Sequence, residues 1–94
     1  MTVLKTARIR SSLQKKGFVA SEGDHIFFHY INGDGKKTAV MTKISHGKSE
    51  ISDPLIGQMA KQVNLSKNQF MDLVNCPLSK EEYESILESK NLLQ

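Results

Sequence analysis

With 94 residues, 38% of them hydrophobic, the chain suffices for one small domain with a core just large enough to fold alone. No apolar run reaches the ~18 residues that mark a membrane span, and the start of the chain lacks the apolar segment of a secretory leader. A single cysteine, Cys76, excludes an intrachain disulfide and a cysteine-built metal site, so the expectation is a cytoplasmic protein without membrane contact.

The net charge of +3 is unevenly spread: residues 1–48 hold nine Lys/Arg against three acids, and residues 49–94 hold four against seven. The basic half could focus a polyanion such as RNA onto one face. Its first element is a helix from Thr6 to Lys16, where Ile9 and Leu13 share a face, Lys15 and Lys16 suit the C-terminal dipole, and Gly17 suits a left-handed cap. Phe18 to Ser21 is a short strand, closed by the turn chemistry of Glu22-Gly23-Asp24. His25 to Ile31, rich in aromatic and β-branched residues, is a second strand. The tandem Asx-Gly pairs of Asn32-Gly33-Asp34-Gly35 predict a hairpin, and Thr38 to Ile44 returns as the third strand.

After Ser45 the period changes to helical. Asp53 is placed to cap a helix with Pro54 in its first position, and Leu55, Ile56, Met59 and Val63 form its apolar stripe, ended by Asn64. Ser66-Lys-Asn-Gln69 and Ser79-Lys-Glu-Glu82 are capping-box patterns that open two more short helices on either side of Pro77. Phe70, Leu73 and Val74 face inward from one; Tyr83, Ile86, Leu87 and Leu92 belong to the apolar side of the other. Cys76, in a Val-Asn-Cys-Pro setting with no activating neighbour, reads as a plain thiol, buried or half-buried. The fold class is α+β, an α-β-β-β-α order with a three-stranded antiparallel sheet covered by helices on one face, plus short C-terminal helices.

Strand alternation divides His25–Ile31 into two rows. Ile26, Phe28 and Tyr30 form the core-facing row, which leaves His25, Phe27 and His29 on the open face. An exposed ring there can stack on a base, while imidazoles and lysines contact phosphate; the plainer alternative is that Phe27 is covered by another element or by a second copy. Histidine is the side chain whose ordinary pKa of roughly 6.5 suits proton transfer near neutrality. The spacing His25-x-x-x-His29 would suit zinc on a helix but separates the two imidazoles too far on a strand, so no metal and no cofactor is expected.

The succession Leu13-Gln-Lys-Lys-Gly17-Phe18, then Gly23-Asp24-His25 with Phe28 three residues on, then a hairpin and a helix ending Val63-Asn64-Leu65-Ser66 before Phe70, resembles the HicA-like, or YcfA-like, toxins. The resemblance spans about residues 6–74 and implies a domain over residues 1–75, similar in fold to double-stranded-RNA-binding domains, with residues 76–94 as a helical extension packed on it. It also implies a metal-independent ribonuclease that cleaves mRNA, with His25 in the place of the catalytic histidine and a HicB-type antitoxin as partner. Asp24 stands where the family has serine, no proline accompanies His46 at the end of the third strand, and Asp53-Pro54 replaces a glycine. The alternative is a non-catalytic RNA-binding or protein-interaction module of the same fold, in either case a monomer or weak homodimer. With His25 as acid/base, the candidate RNA-contacting residues are Lys15, Lys16, Phe27, His29, Lys36, Lys37, Lys43, His46 and Lys48.

Overall fold

Each switch of residue pattern along the chain marks an element boundary. The computed structural model describes residues 3–75 and 77–93. Its elements run β1 (Leu4–Lys5), α1 (Thr6–Lys15), β2 (Phe18–Glu22), β3 (His25–Ile31), β4 (Lys37–Ser45), β5 (Glu50–Ile51), α2 (Asp53–Gln62), α3 (Lys67–Asn75) and α4 (Lys80–Ser89). Strands β2, β3 and β4 form an antiparallel sheet with β3 in the centre, and four helices accompany it. The reading of Cys76 falls outside the described residues.

The expected rows of β3 separate as the pleat dictates: Ile26, Phe28 and Tyr30 are buried, whereas His25, Phe27 and His29 are half-buried. On β4 the buried set is Thr38, Val40, Thr42 and Ile44. Against this face pack Ile9 and Leu13 of α1, Ile56 and Met59 of α2, Phe70, Leu73 and Val74 of α3, and Tyr83 and Leu87 of α4, all in one core. Two polar contacts fasten α1 from within. Ser12 Oγ donates to the Val74 carbonyl at 2.7 Å, and the Lys16 ammonium donates to the carbonyl of Leu78.

Local chemistry sets the boundaries. Asn32 accepts the N–H groups of Asp34 and Lys36 on its side-chain oxygen at 2.9 and 3.0 Å, and Gly35 takes φ +79° to close the β3–β4 turn. Both capping boxes form, Ser66 with Gln69 and Ser79 with Glu82. The Ser79 backbone and side-chain bonds hold the Glu82 carboxyl below its ordinary range. Asn64 (φ 65°) and Asn91 (φ 58°) stop α2 and α4 in left-handed conformations. Beyond them Leu65 N–H reaches Ala60 C=O at 2.8 Å and Leu92 N–H reaches Leu87 C=O at 3.0 Å, the six-residue closure of a helix end.

Two expectations need correction, and one feature was not foreseen. Ser52, not Asp53, is the residue before α2, because Asp53 is already helical and its carboxylate pairs with Lys67 at the start of α3. A second small sheet, in which Leu4 faces Ile51 and Lys5 faces Glu50, joins the segment before α1 to the one before α2. Two-residue strands carry no readable period, so sequence pattern does not announce them. Lys16 is 6% exposed and bound to Leu78, so it is no phosphate contact but an internal tie between α1 and the α3–α4 connection.

Candidate active site

The site is built on the end of β3 where that strand begins. His25 opposes Ser45 of β4, and Phe27 opposes Lys43, so the imidazole, the ring, the ammonium and the hydroxyl share one sheet face. Strand β4 is an edge strand. Helix α2 runs beside it and presents Leu55, Gln58, Met59 and Gln62, spaced three, one and three apart and therefore on one face. The gap between the β4 edge and α2 is a cleft of about 210 Å³ lined by His25, Lys43, Ser45, Lys48, Gln58 and Gln62, with Ile51, Leu55 and Met59 as its apolar floor. A second cleft of about 310 Å³ adjoins it, lined by Phe27, Met41, Thr42, Lys43 and Gln62.

The loop that delivers His25 is pinned from β4. His46 Nε2 lies 2.9 Å from the Gly23 carbonyl, and because a carbonyl only accepts, this nitrogen carries the proton. The Gly23 N–H in turn donates to the His25 carbonyl at 3.0 Å. His46 thus holds the turn before His25 and keeps only Nδ1 for other contacts. A Cβ on Gly23 would come no closer than 3.8 Å to Phe27 Cε2, so packing does not demand a glycine there. The His25 and Phe27 rings meet in an edge-type arrangement with centroids 6.1 Å apart.

The remaining expected site residues divide by position. His29 lies two pleats from His25, opposite Met41, with Nδ1 buried and without a hydrogen-bond partner among the described residues; it lines neither cleft. Lys37 opposes Ile31, six residues along β3 from His25, or roughly 20 Å at the strand rise. Lys36 sits in the same hairpin, and Lys15 ends α1 beside the start of β2, which pairs with the Tyr30 end of β3. The structure therefore gathers His25, Lys43 and Lys48 with Phe27 close by, and leaves Lys15, Lys36 and Lys37 at the far end of the sheet. Among the described residues no group of three or more His, Cys, Asp or Glu could hold a metal ion.

Sequence reasoning missed Ser45, Gln58 and Gln62. A signal for the glutamines existed: they are four residues apart and flank the apolar stripe of α2, on the side that turns toward an edge strand. Such a cleft can bind a phosphate through its two ammonium groups, move a proton at His25 and hydrogen-bond a neutral group through two carboxamides. The chain matches no family model, no curated protein and no solved structure. Fold and site define it by class alone, as a small α+β domain with a cationic, histidine-bearing cleft at a sheet edge. No helix among the described residues is long and apolar enough to cross a membrane.

Proposed function

We propose that this protein is a metal-independent endoribonuclease of the HicA-like toxin type, acting on mRNA through His25. The observation that carries the reading is the grouping of one half-buried imidazole with two exposed ammonium groups, Lys43 and Lys48, in one cleft. His25 takes the proton of a ribose 2′-hydroxyl. The 2′-oxygen attacks the adjacent phosphorus, and the 5′-oxygen of the next nucleotide leaves with a proton returned by His25. The products are a 2′,3′-cyclic phosphate and a free 5′-hydroxyl. Lys43 and Lys48 offset the charge that builds on the phosphorane oxygens. In this proposal the α-β-β-β-α portion corresponds to a double-stranded-RNA-binding-like fold, the protein works in the cytoplasm, and a HicB-type antitoxin silences it by covering the cleft.

One observation favours a second reading, a non-catalytic RNA-binding module. The cleft holds a single imidazole, since His29 lies outside it and His46 is committed to the Gly23 carbonyl, and the exposed carboxylate of Asp24 adjoins His25 in sequence. The test is incubation of the purified protein with RNA in the presence of EDTA, with end-group analysis of the products. Wild type is expected to yield cyclic phosphate ends and His25→Ala none, with both proteins equally folded by circular dichroism. Intact RNA after incubation with wild type, together with normal growth of cells that express it, would sink the enzyme reading; RNA binding retained in that case supports the module.

A further inference from the structure

The ladder between β3 and β4 ends at the pair His25–Ser45, and both residues line the cleft. Beyond that pair the two chains part. Gly23 and Asp24 form the turn from β2, while Gly47, at φ +84°, bends the chain out of β4 toward Lys48. Residues 21–24 and 46–50 are exposed throughout, so core packing does not fix their spacing. Among the described residues a single hydrogen bond crosses between these segments past the last pair, from His46 Nε2 to the Gly23 carbonyl at 2.9 Å. It takes the place of the next rung. The far end of the Lys48 loop is held separately: the Ser49 carbonyl accepts the N–H of Thr6 at 3.0 Å, and Glu50 pairs with Lys5 in the small sheet. Lys48 thus lies between two anchors, one of which is shared with the turn that delivers His25.

Resting on the reading of this cleft as an RNA-cleaving site, we infer that His46 is a positioning residue that registers the Lys48 segment against the His25 turn. Gly23 precedes His25 by two positions and Lys48 follows His46 by two, so one bond ties the two pieces of chain that carry the imidazole and the ammonium. A lone exposed hydrogen bond adds little to global stability. Its leverage is geometric, because misplacing a reacting group by about 1 Å costs up to about a hundredfold in rate. The Gly23 carbonyl only accepts, so position 46 has to supply an N–H donor at the reach of Nε2 and no ring chemistry. Glutamine carries such a donor at a similar reach, and alanine carries none.

Two measurements on the full chain test this, with His46→Ala and His46→Gln both checked for folding by circular dichroism. In single-turnover cleavage of a short RNA by excess protein, His46→Ala is expected to lower the maximal rate about tenfold and to leave the half-saturating protein concentration within about twofold. His46→Gln restores the rate to within about threefold of wild type. The second measurement needs no activity. Backbone 15N order parameters of Gly23 and Lys48 should fall together in His46→Ala, from about 0.85 toward about 0.6, and recover in His46→Gln. Either readout unmoved by His46→Ala overturns the inference. So does a defect confined to RNA affinity, which makes His46 a phosphate contact, or a His46→Gln protein as slow as His46→Ala, which makes the imidazole itself the requirement. If wild type leaves RNA uncut, the enzyme reading falls and the order parameters alone decide: a joint fall keeps the coupling of turn and loop, and unchanged values remove it.

Discussion

The two ends of strand β3 are built from opposite materials. At its finish, Tyr30 meets Phe18 at 5.3 Å and Tyr83 at 5.3 Å, both edge-on, while Phe18 stacks on Tyr83 at 5.7 Å. The buried polar groups packed there are committed: the Tyr30 hydroxyl donates to Glu84 at 2.8 Å, the Tyr83 hydroxyl to the Val63 carbonyl at 2.9 Å, and Lys16 to Leu78. At its start, His25, Lys43 and Lys48 face an open cleft, with the carboxamides of Gln58 and Gln62 beside them. Helix α4 closes one end of the sheet, and among the described residues nothing equivalent closes the other.

The contrast predicts that substitutions at the two ends separate cleanly into stability and function. The largest stability effect belongs to Tyr83→Ala, which empties the middle of the aromatic group and should cost about 4 kcal/mol of unfolding free energy in denaturant titration. A loss below about 1 kcal/mol would show that α4 is a minor cover rather than the seal. Gly17→Ala should follow at roughly 2 kcal/mol, because the residue has φ +106° and its new Cβ would lie 2.9 Å from Tyr30 Cε1.

Alkaline pH probes the same end. Burial pushes both phenols above their ordinary value; for Tyr30 the hydrogen bond to Glu84 adds to this, and for Tyr83 the neighbouring Tyr30 does. The unfolded chain releases these protons near pH ~10 while the folded chain retains them. Their contribution is thus complete below pH ~10 and is lost as pH rises beyond it, at up to about 1.4 kcal/mol per pH unit for each tyrosine. Melting curves from pH 8 to 11 should show this fall, and Tyr30→Phe should flatten part of it; an unchanged slope would place the ionisation elsewhere. The smallest stability effect is expected at the open end. Lys43→Gln with Lys48→Gln should leave unfolding within about 0.5 kcal/mol of wild type, yet lower the salt dependence of RNA binding by roughly 0.7 in log–log slope per lysine. Equal salt slopes would remove these lysines from the phosphate path.

Local pattern carries far in this chain. The alternation of Ile26, Phe28 and Tyr30 against His25, Phe27 and His29 assigned the two faces of β3, and Ser66-Gln69 and Ser79-Glu82 announced the starts of α3 and α4, because period and capping act over a few residues. The candidate site was legible in the same measure: His25, Phe27 and Lys43 share a face by strand register, which follows once the hairpin is placed.

What the sequence by itself determined is the longer elements, their inward faces and the presence of a histidine and lysines on and beside the sheet. Tertiary structure alone decided which of them meet. It put Gln58 and Gln62 of α2 across from His25, turned Lys16 from a surface cation into an internal donor, and assigned His46 to the Gly23 carbonyl. Each of these contacts joins segments separated in sequence: 62 residues for Lys16 and Leu78, 23 for His46 and Gly23. The physical reason is that capping and periodicity are interactions among neighbours in the chain, whereas the partner of a lysine or a histidine depends on which helix covers which strand end, and that is settled by the packing of the whole core.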